Sequence, residues 1–384
     1  MLLSNLRALR FFSQAKLFTP GPLSTTMTVK QAMLVDVNRS RHMVEVNQWL
    51  ENTLLSIAGL SQPKYRVIFL QGSGTFTVEG MIGSTFDRTK RGKSLVVANG
   101  AYGERVAKIC KIVGIPHKVL RYEDNQVVRP EDVEREMDDE VTHVFCVHSE
   151  TTSGLLNPIV DVGQAVKGKK KDAIYLVDAV SSFGGVDFDF KKAGIDYLAT
   201  SSNKLLQGVP GFGIVFCNTE HLDTCEGNSH SWGIDIYLRY QEMLRTGEHI
   251  MLTPPFQPIL AFRQALEEFL AEGGVKARQA KYQRNQRALQ EEMSKNGFQL
   301  YINPAHQGWI INTYLQPKDP RFSFQKLYNY LADRGMLIYP GKVAKVESFR
   351  IGTIGELTEA DMRLCAKYVR EACEEMGLQF PLNN

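Results

Sequence analysis

YRVIFLQGSGTFTVEGMIGSTF, residues 65–86, is the stretch whose reading decides the fold. Tyr65 to Leu70 is a short run of aromatic, β-branched and apolar residues, the pattern of a buried strand. Gln71-Gly72-Ser73-Gly74-Thr75 breaks it, and a helix-period segment follows from about Phe76 to Phe86. The same strand–turn–helix unit recurs outward from here. Ser94–Ala98 reads as a second strand with a helix over about Gly103–Val113, and further strands are expected at His117–Leu120, Thr142–Val147, Ile174–Ala179, Tyr197–Ser201 and Gly213–Phe216. Strands alternating with helices predict an α/β domain with a mainly parallel seven-stranded sheet covered on both faces. Such sheets take ligands at the carboxyl ends of their strands.

Beyond this domain, Gln257 to about Gly297 is almost continuously helical, with Gly273-Gly274 marking a break. Shorter strands (Trp309–Thr313, Leu337–Tyr339, Phe349–Ile351) and helices near 323–334 and 358–376 predict a smaller α+β domain. The expected organisation is a leader or tail over residues 1–17, a large domain over 28–270, and a small domain made of 18–27 and 271–384.

Composition excludes several classes. Of 384 residues, 43% are apolar and 23% charged, the balance of a globular protein rather than a disordered or fibrous one. The net charge of +3 is carried by the leader: Arg7, Arg10 and Lys16 precede the first acid, Asp36, and without them 42 basic residues face 42 acids. A neutral body argues against a nucleic-acid surface, and Lys169-Lys170-Lys171 reads as a solvated loop. No apolar run is long enough to span a membrane. The six cysteines form no C-x-x-C pair and no zinc spacing, so the metal expectation is none and the thiols read as reduced, structural and intracellular. The leader, with Arg, Ser and Leu but no acid, has the composition of a mitochondrial transit peptide; a frayed cytoplasmic tail is the alternative.

Three features carry chemistry. Gln71–Thr75 offers two glycines, two hydroxyls and the start of a helix, which suits a phosphate. It is neither a Walker loop nor a dinucleotide fingerprint, since Thr77 stands where a third glycine belongs, and alone it serves equally well as a tight turn. Asp178 ends the apolar strand Ile174–Val177, and Lys204 follows the strand Tyr197–Ser201. Singly, these read as a cap or ion pair and as a surface lysine. Together, an amine, a carboxylate and a phosphate cradle are the parts that pyridoxal 5'-phosphate needs: an amine to hold the aldehyde, an anion for the ring nitrogen and donors for the phosphate. Tyr102, in Asn99-Gly100-Ala101-Tyr102-Gly103, heads the next helix and suits stacking on the ring.

At this point the chain resembles the class V, fold-type-I pyridoxal-phosphate aminotransferases, and among them those that pass the amine of 2-aminoethylphosphonate to pyruvate. The resemblance lies in LFTPGPLSTTMTVKQAML (17–34), LQGSGTFTVE (70–79), VANGAYGER (97–105), VHSETTSGLLNPI (147–159), LVDAVSSFGGV (176–186), SSNKLLQGVPGFG (201–213), LAEGGVKARQAKYQRNQR (270–287), IYPGKV (338–343) and FRIGTIGE (349–356). It implies that Lys204 carries the cofactor and moves the proton, and that Asp178 pairs with the ring nitrogen. Ser73, Gly74 and Thr75 would hold the phosphate, with Asn203 beside it. Tyr102 would stack on the ring, and Thr151 would contact its 3-hydroxyl region. Thr253 would reach the phosphate of a neighbouring subunit, so a homodimer with shared sites is implied. Arg350 would bind the substrate's acidic end, a phosphonate or a carboxylate. The implied reaction turns 2-aminoethylphosphonate and pyruvate into phosphonoacetaldehyde and alanine.

Val37-Asn38-Arg39-Ser40-Arg41-His42-Met43-Val44 departs from the acidic run usual in the family. Its cations either strengthen anion binding or mark another small amine donor, such as alanine or serine, with a glyoxylate or pyruvate acceptor. A cysteine desulfurase needs a mobile-loop cysteine, whereas Cys365 and Cys373 have packing spacing in the last helix. A non-enzymatic binding protein on this scaffold would have lost Lys204, Asp178 or Arg350, and all three are present.

Overall fold

Alternation along each strand assigns its side chains to one of two cores, and this divides the large sheet of the computed structural model, which describes residues 15–247, 249, 252–343 and 345–382. The strands are β1 (Tyr65–Gly72), β2 (Lys93–Ala98), β3 (His117–Arg121), β4 (Val141–Val147), β5 (Ile174–Asp178), β6 (Tyr197–Ser201) and β7 (Gly211–Asn218). Val67, Phe69, Val144, Cys146, Tyr175 and Val177 enter one core. Ile68, Leu70, Phe145, Val147, Ile174 and Leu176 enter the other. Strands apolar on both faces need helices on both faces. The first core is completed by α1 (Arg41–Ile57), α4 (Ile159–Lys169) and α6 (Phe256–Glu272), and the second by α2 (Gly74–Thr85), α3 (Ala101–Ile112) and α5 (Ile236–Thr246).

The strand order is β1-β7-β6-β5-β4-β2-β3. β7 runs antiparallel to β1 and β6, and the other neighbours are parallel. The nine residues between β6 and β7 are too few for a helical crossover, so the chain turns back as a hairpin. Carboxyl ends of β1, β2, β4, β5 and β6 therefore share one edge of the sheet.

The chain divides into two compact units. The larger holds Thr25–Glu150 and Leu156–Arg278; the smaller holds the described residues up to Ser24, Thr151–Leu155 and the stretch from Gln279 onward. The glycine break falls as expected: Gly273 and Gly274, both at positive φ, separate α6 from α7 (Gly274–Lys295). In the smaller unit an antiparallel sheet is ordered β8 (Ile311–Leu315), β10 (Ser348–Gly352), β9 (Tyr339–Pro340). Phe349 and Ile351 enter its core with residues of α8 (Phe324–Asp333) and α9 (Glu359–Glu375).

The leader expected over residues 1–17 lies outside the described residues as far as residue 14, and its C-terminal boundary is corrected. Lys16–Leu17 pairs in parallel with Met336–Leu337, and Lys16 Nζ lies 2.5 Å from Asp361 Oδ1. The same Asp361 closes a capping box with Thr358 at the start of α9. Lys16 thus belongs to the folded body. Among the lysines read as a loop, Lys169 ends α4 and Lys170 Nζ donates to the carbonyls of Asp139 and Val141.

α1 and β1 are tied by a buried carboxylate. Glu51, 1% exposed, accepts from Arg66 Nε at 2.6 Å, Arg66 Nη2 at 3.0 Å, the Val67 amide at 3.1 Å and His249 Nε2 at 2.8 Å. Burial raises the Glu51 carboxyl, but the bonds from His249 and Arg66 outweigh it and hold the group down at about 2. A carboxylate held low stabilises the fold above the ordinary glutamate range and loses that contribution as pH falls through its folded value. Glu51→Gln should cost about 3 kcal/mol in denaturant unfolding at pH 7. Its stability should then vary less than wild type between about pH 5 and pH 2. Equal slopes would refute this role.

Candidate active site

A cavity of about 200 Å³ opens at the carboxyl edge of the large unit's sheet. After β1 comes Ser73, the N-cap of α2, whose side chain makes no capping bond. Gly72 has φ of 115°, and a Cβ on Gly74 would lie 2.9 Å from both methyl carbons of Val180. Only glycine lets the cradle close against the segment after β5. Val180 in turn donates its amide to Asp178 Oδ1 at 2.9 Å.

Ser73, Gly74, Thr75, Tyr102, Asp178, Asn203 and Lys204 all line this cavity. Of the other expected residues, Thr253 does not line it. Its carbonyl accepts from Gln71 Nε2 and its side chain is exposed. Thr151 and Arg350 belong to the smaller unit. There Arg350 sits on the central strand β10, on the face opposite Phe349 and Ile351. It donates from Nε to the Pro340 carbonyl at 3.0 Å and from Nη1 to the Thr151 carbonyl at 2.8 Å. The cations of the divergent segment do not line the cavity either. Ser40 caps α1, and Arg41 and His42 lie on its exposed first turn beside Glu45. His148 is a core histidine, 5.1 Å edge-on to Phe188, its protonation pushed down to about 3 by burial.

The structure adds residues that the sequence reading missed. Arg105 lies one helical turn after Tyr102, so both face the cavity. Its guanidinium is 4.7 Å from the Tyr102 ring centre, and Nη1 donates to Thr75 Oγ1 at 2.9 Å. The helix phase from Tyr102 was the signal for it. Ser201, the last residue of β6, also lines the cavity, and its Oγ is buried with no hydrogen-bond partner.

Charge is concentrated around Asp178. Burial pushes its carboxyl up to about 6, and the Glu150 carboxylate acts in the same direction. The Val180 amide, Arg105 and Lys204 oppose the rise. A buried carboxylate incompletely compensated by donors, with an amine lining the same cavity, is able to hold a cation and to exchange protons.

The family profile described as aminotransferase class V matches residues 25–348. The chain belongs to the class V aminotransferases. It is 42% identical over 351 residues to a 2-aminoethylphosphonate–pyruvate transaminase of Bacillus mycoides, covering 90% of this chain and 94% of that protein. It is 41% identical over 360 residues to a bifunctional phosphonoacetaldehyde hydrolase/aminoethylphosphonate transaminase of Clostridioides difficile, covering 92% of this chain and 56% of that one, so it spans just over half of the bifunctional protein. Among solved structures, ureidoglycine–glyoxylate aminotransferase of Bacillus subtilis superposes with a TM-score of 0.86 at 20% identity, over 95% of this chain and 94% of that one. At that identity the likeness speaks for the fold alone. Cys365 and Cys373 are buried on α9, their thiols pushed up to about 12 by burial, as packing residues of this aminotransferase should be.

Asp178 should cost the protein stability. Its carboxyl is raised on folding, so the folded state binds the proton more tightly and stability falls as pH rises from the ordinary aspartate range through about 6. In ligand-free protein, Asp178→Asn should be more stable than wild type at pH 8, by on the order of 2–3 kcal/mol. The gain should vanish near pH 4. Denaturant titrations at the two pH values check it, and a destabilised Asn variant at pH 8 would contradict it.

Proposed function

We propose that this enzyme transfers the amine of 2-aminoethylphosphonate to pyruvate, giving phosphonoacetaldehyde and alanine, with pyridoxal 5'-phosphate as its cofactor. The observation that carries the chemistry is one cavity lined at once by the Lys204 amine, the Asp178 carboxylate and the uncapped start of α2. The choice of substrates rests on the relatives at 41–42% identity and on what their names say they act on.

The residues present fit the cofactor. Ser73 leaves its hydroxyl uncommitted to capping, Ser201 Oγ is buried without a partner, and Asp178 is a buried carboxylate short of donors. Pyridoxal phosphate, once bound, supplies an electron sink for the charge left when a substrate C–H proton is removed. Asp178 would pair with the ring nitrogen and keep it protonated. The amides of α2 and the hydroxyls of Ser73 and Thr75 would hold the phosphate, with Asn203 beside it. Tyr102 would lie against the ring, stiffened by Arg105. The Lys204 amine would hold the aldehyde carbon, and would be the base that takes the proton from the substrate's amine-bearing carbon and the acid that gives it back.

Arg350 would bind the acidic end of either substrate, and Thr151 would contact the ring oxygen. Two backbone carbonyls fix the Arg350 guanidinium, and its planar fork suits a phosphonate and a carboxylate alike. The proposal includes a homodimer in which Thr253 of one copy reaches the phosphate held by the other. Support comes from the exposed Thr253 and from large apolar side chains left open on the large unit, Phe76 at 53% and Trp232 at 58%.

Cofactor-loaded protein should be yellow, and Lys204→Ala should abolish amine transfer. In a half-reaction panel, 2-aminoethylphosphonate should convert the cofactor faster than alanine, serine or β-alanine. Faster conversion by another amine would overturn the substrate assignment, and colourless loaded protein would overturn the cofactor assignment. Arg350→Lys keeps the charge but loses the fork, so KM for both substrates should rise about tenfold or more while kcat changes less.

A further inference from the structure

Glu150 has no role assigned in the proposed function, although it is a carboxylate with 0% exposure. A charge buried to that extent needs a reason to be there. Its Oε2 accepts the Tyr102 amide at 3.1 Å. Tyr102 is the second residue of α3, so this amide has no partner within the helix, and the positive end of the helix favours an anion beside it. The residue before the helix, Gly100, has φ of 170°, an extended conformation open to any residue. Its need for glycine is one of space. A Cβ at position 100 would lie 2.3 Å from Glu150 Cγ and 2.4 Å from Cδ. The glutamate fills the volume that a side chain would take.

The first turn of α3 that Glu150 holds is the turn that presents Tyr102 and Arg105 to the cavity, and Arg105 in turn bonds Thr75 in the phosphate cradle. Glu150 therefore touches the cavity's geometry without lining it. We propose that Glu150 is a positioning residue of this site, pinning the start of α3 and with it Tyr102 and Arg105. The proposal rests on the pyridoxal phosphate reading of the same cavity. Asp178 is faced by Glu150, Arg105, Lys204 and the Val180 amide. Of these, Glu150 is the one that favours its protonated form, alongside burial.

Two kinds of measurement test this, on full-length protein. The first is equilibrium affinity for pyridoxal phosphate at pH 8. Glu150→Gln keeps an oxygen for the Tyr102 amide, so its affinity at pH 8 should stay within about threefold of wild type. Glu150→Ala loses the acceptor of that amide and the bulk against Gly100, and should bind about tenfold more weakly at pH 8. Wild-type affinity in Glu150→Ala, or a Glu150→Gln affinity as weak as that of Glu150→Ala, overturns the proposal.

The second measurement is thermal melting of cofactor-free Gly100→Ala, Glu150→Ala and the double variant. Gly100→Ala should lower the melting temperature in the wild-type background and have little further effect once Glu150 is alanine. Additive losses overturn the steric coupling. If wild type itself fails to bind the cofactor, the functional reading falls, while the melts still decide whether Glu150 sets the start of α3.

Discussion

Asp178 closes a strand in which every residue is buried, yet the chain supplies its carboxylate with one backbone amide and the fields of Arg105 and Lys204. Glu51, also buried, is met by a bidentate arginine, a backbone amide and a histidine. Burial acts against ionisation at both, and the donors decide the outcome: Glu51 is held down at about 2, whereas Asp178 rises to about 6. One carboxylate is compensated and serves the fold by joining α1 to β1. The other is left short of donors at a cost in stability, and that shortfall is what a cationic ring nitrogen could satisfy.

The remainder of the site follows from where Asp178 sits. The parallel strands bring their carboxyl ends to one edge, so the cradle after β1, the helix after β2 and the loop after β6 converge on the residue ending β5. Close approach is then controlled by small residues. Gly74 lets α2 meet Val180, which bonds Asp178, and Gly100 lets α3 meet Glu150, which accepts the Tyr102 amide. Both glycines serve proximity, and neither serves a left-handed backbone.

The sheet was legible because its signals are local. Tyr65–Leu70, Ser94–Ala98 and Tyr197–Ser201 are apolar runs of strand length, and the loop after β6 was short enough to have revealed the hairpin that makes β7 antiparallel. Ser73, Asp178 and Lys204 were legible because each stands at or just past a strand end. Less visible were features that depend on partners remote in sequence. Lys16 joins the fold through Asp361, His249 meets Glu51, and Glu150 occupies the space above Gly100. No spacing rule reports such pairs. Helix phase and Glu45 place Arg41 and His42 on the surface of α1, which composition alone does not report.

The central claim is that Lys204 is the amine that holds pyridoxal phosphate in the cavity around Asp178. Borohydride treatment of cofactor-loaded protein, followed by peptide mass mapping, tests it most directly. The account predicts a reduced pyridoxyl adduct on the peptide containing Lys204 and on no other lysine. An adduct on a different lysine, or none from protein that has bound the cofactor, would contradict it.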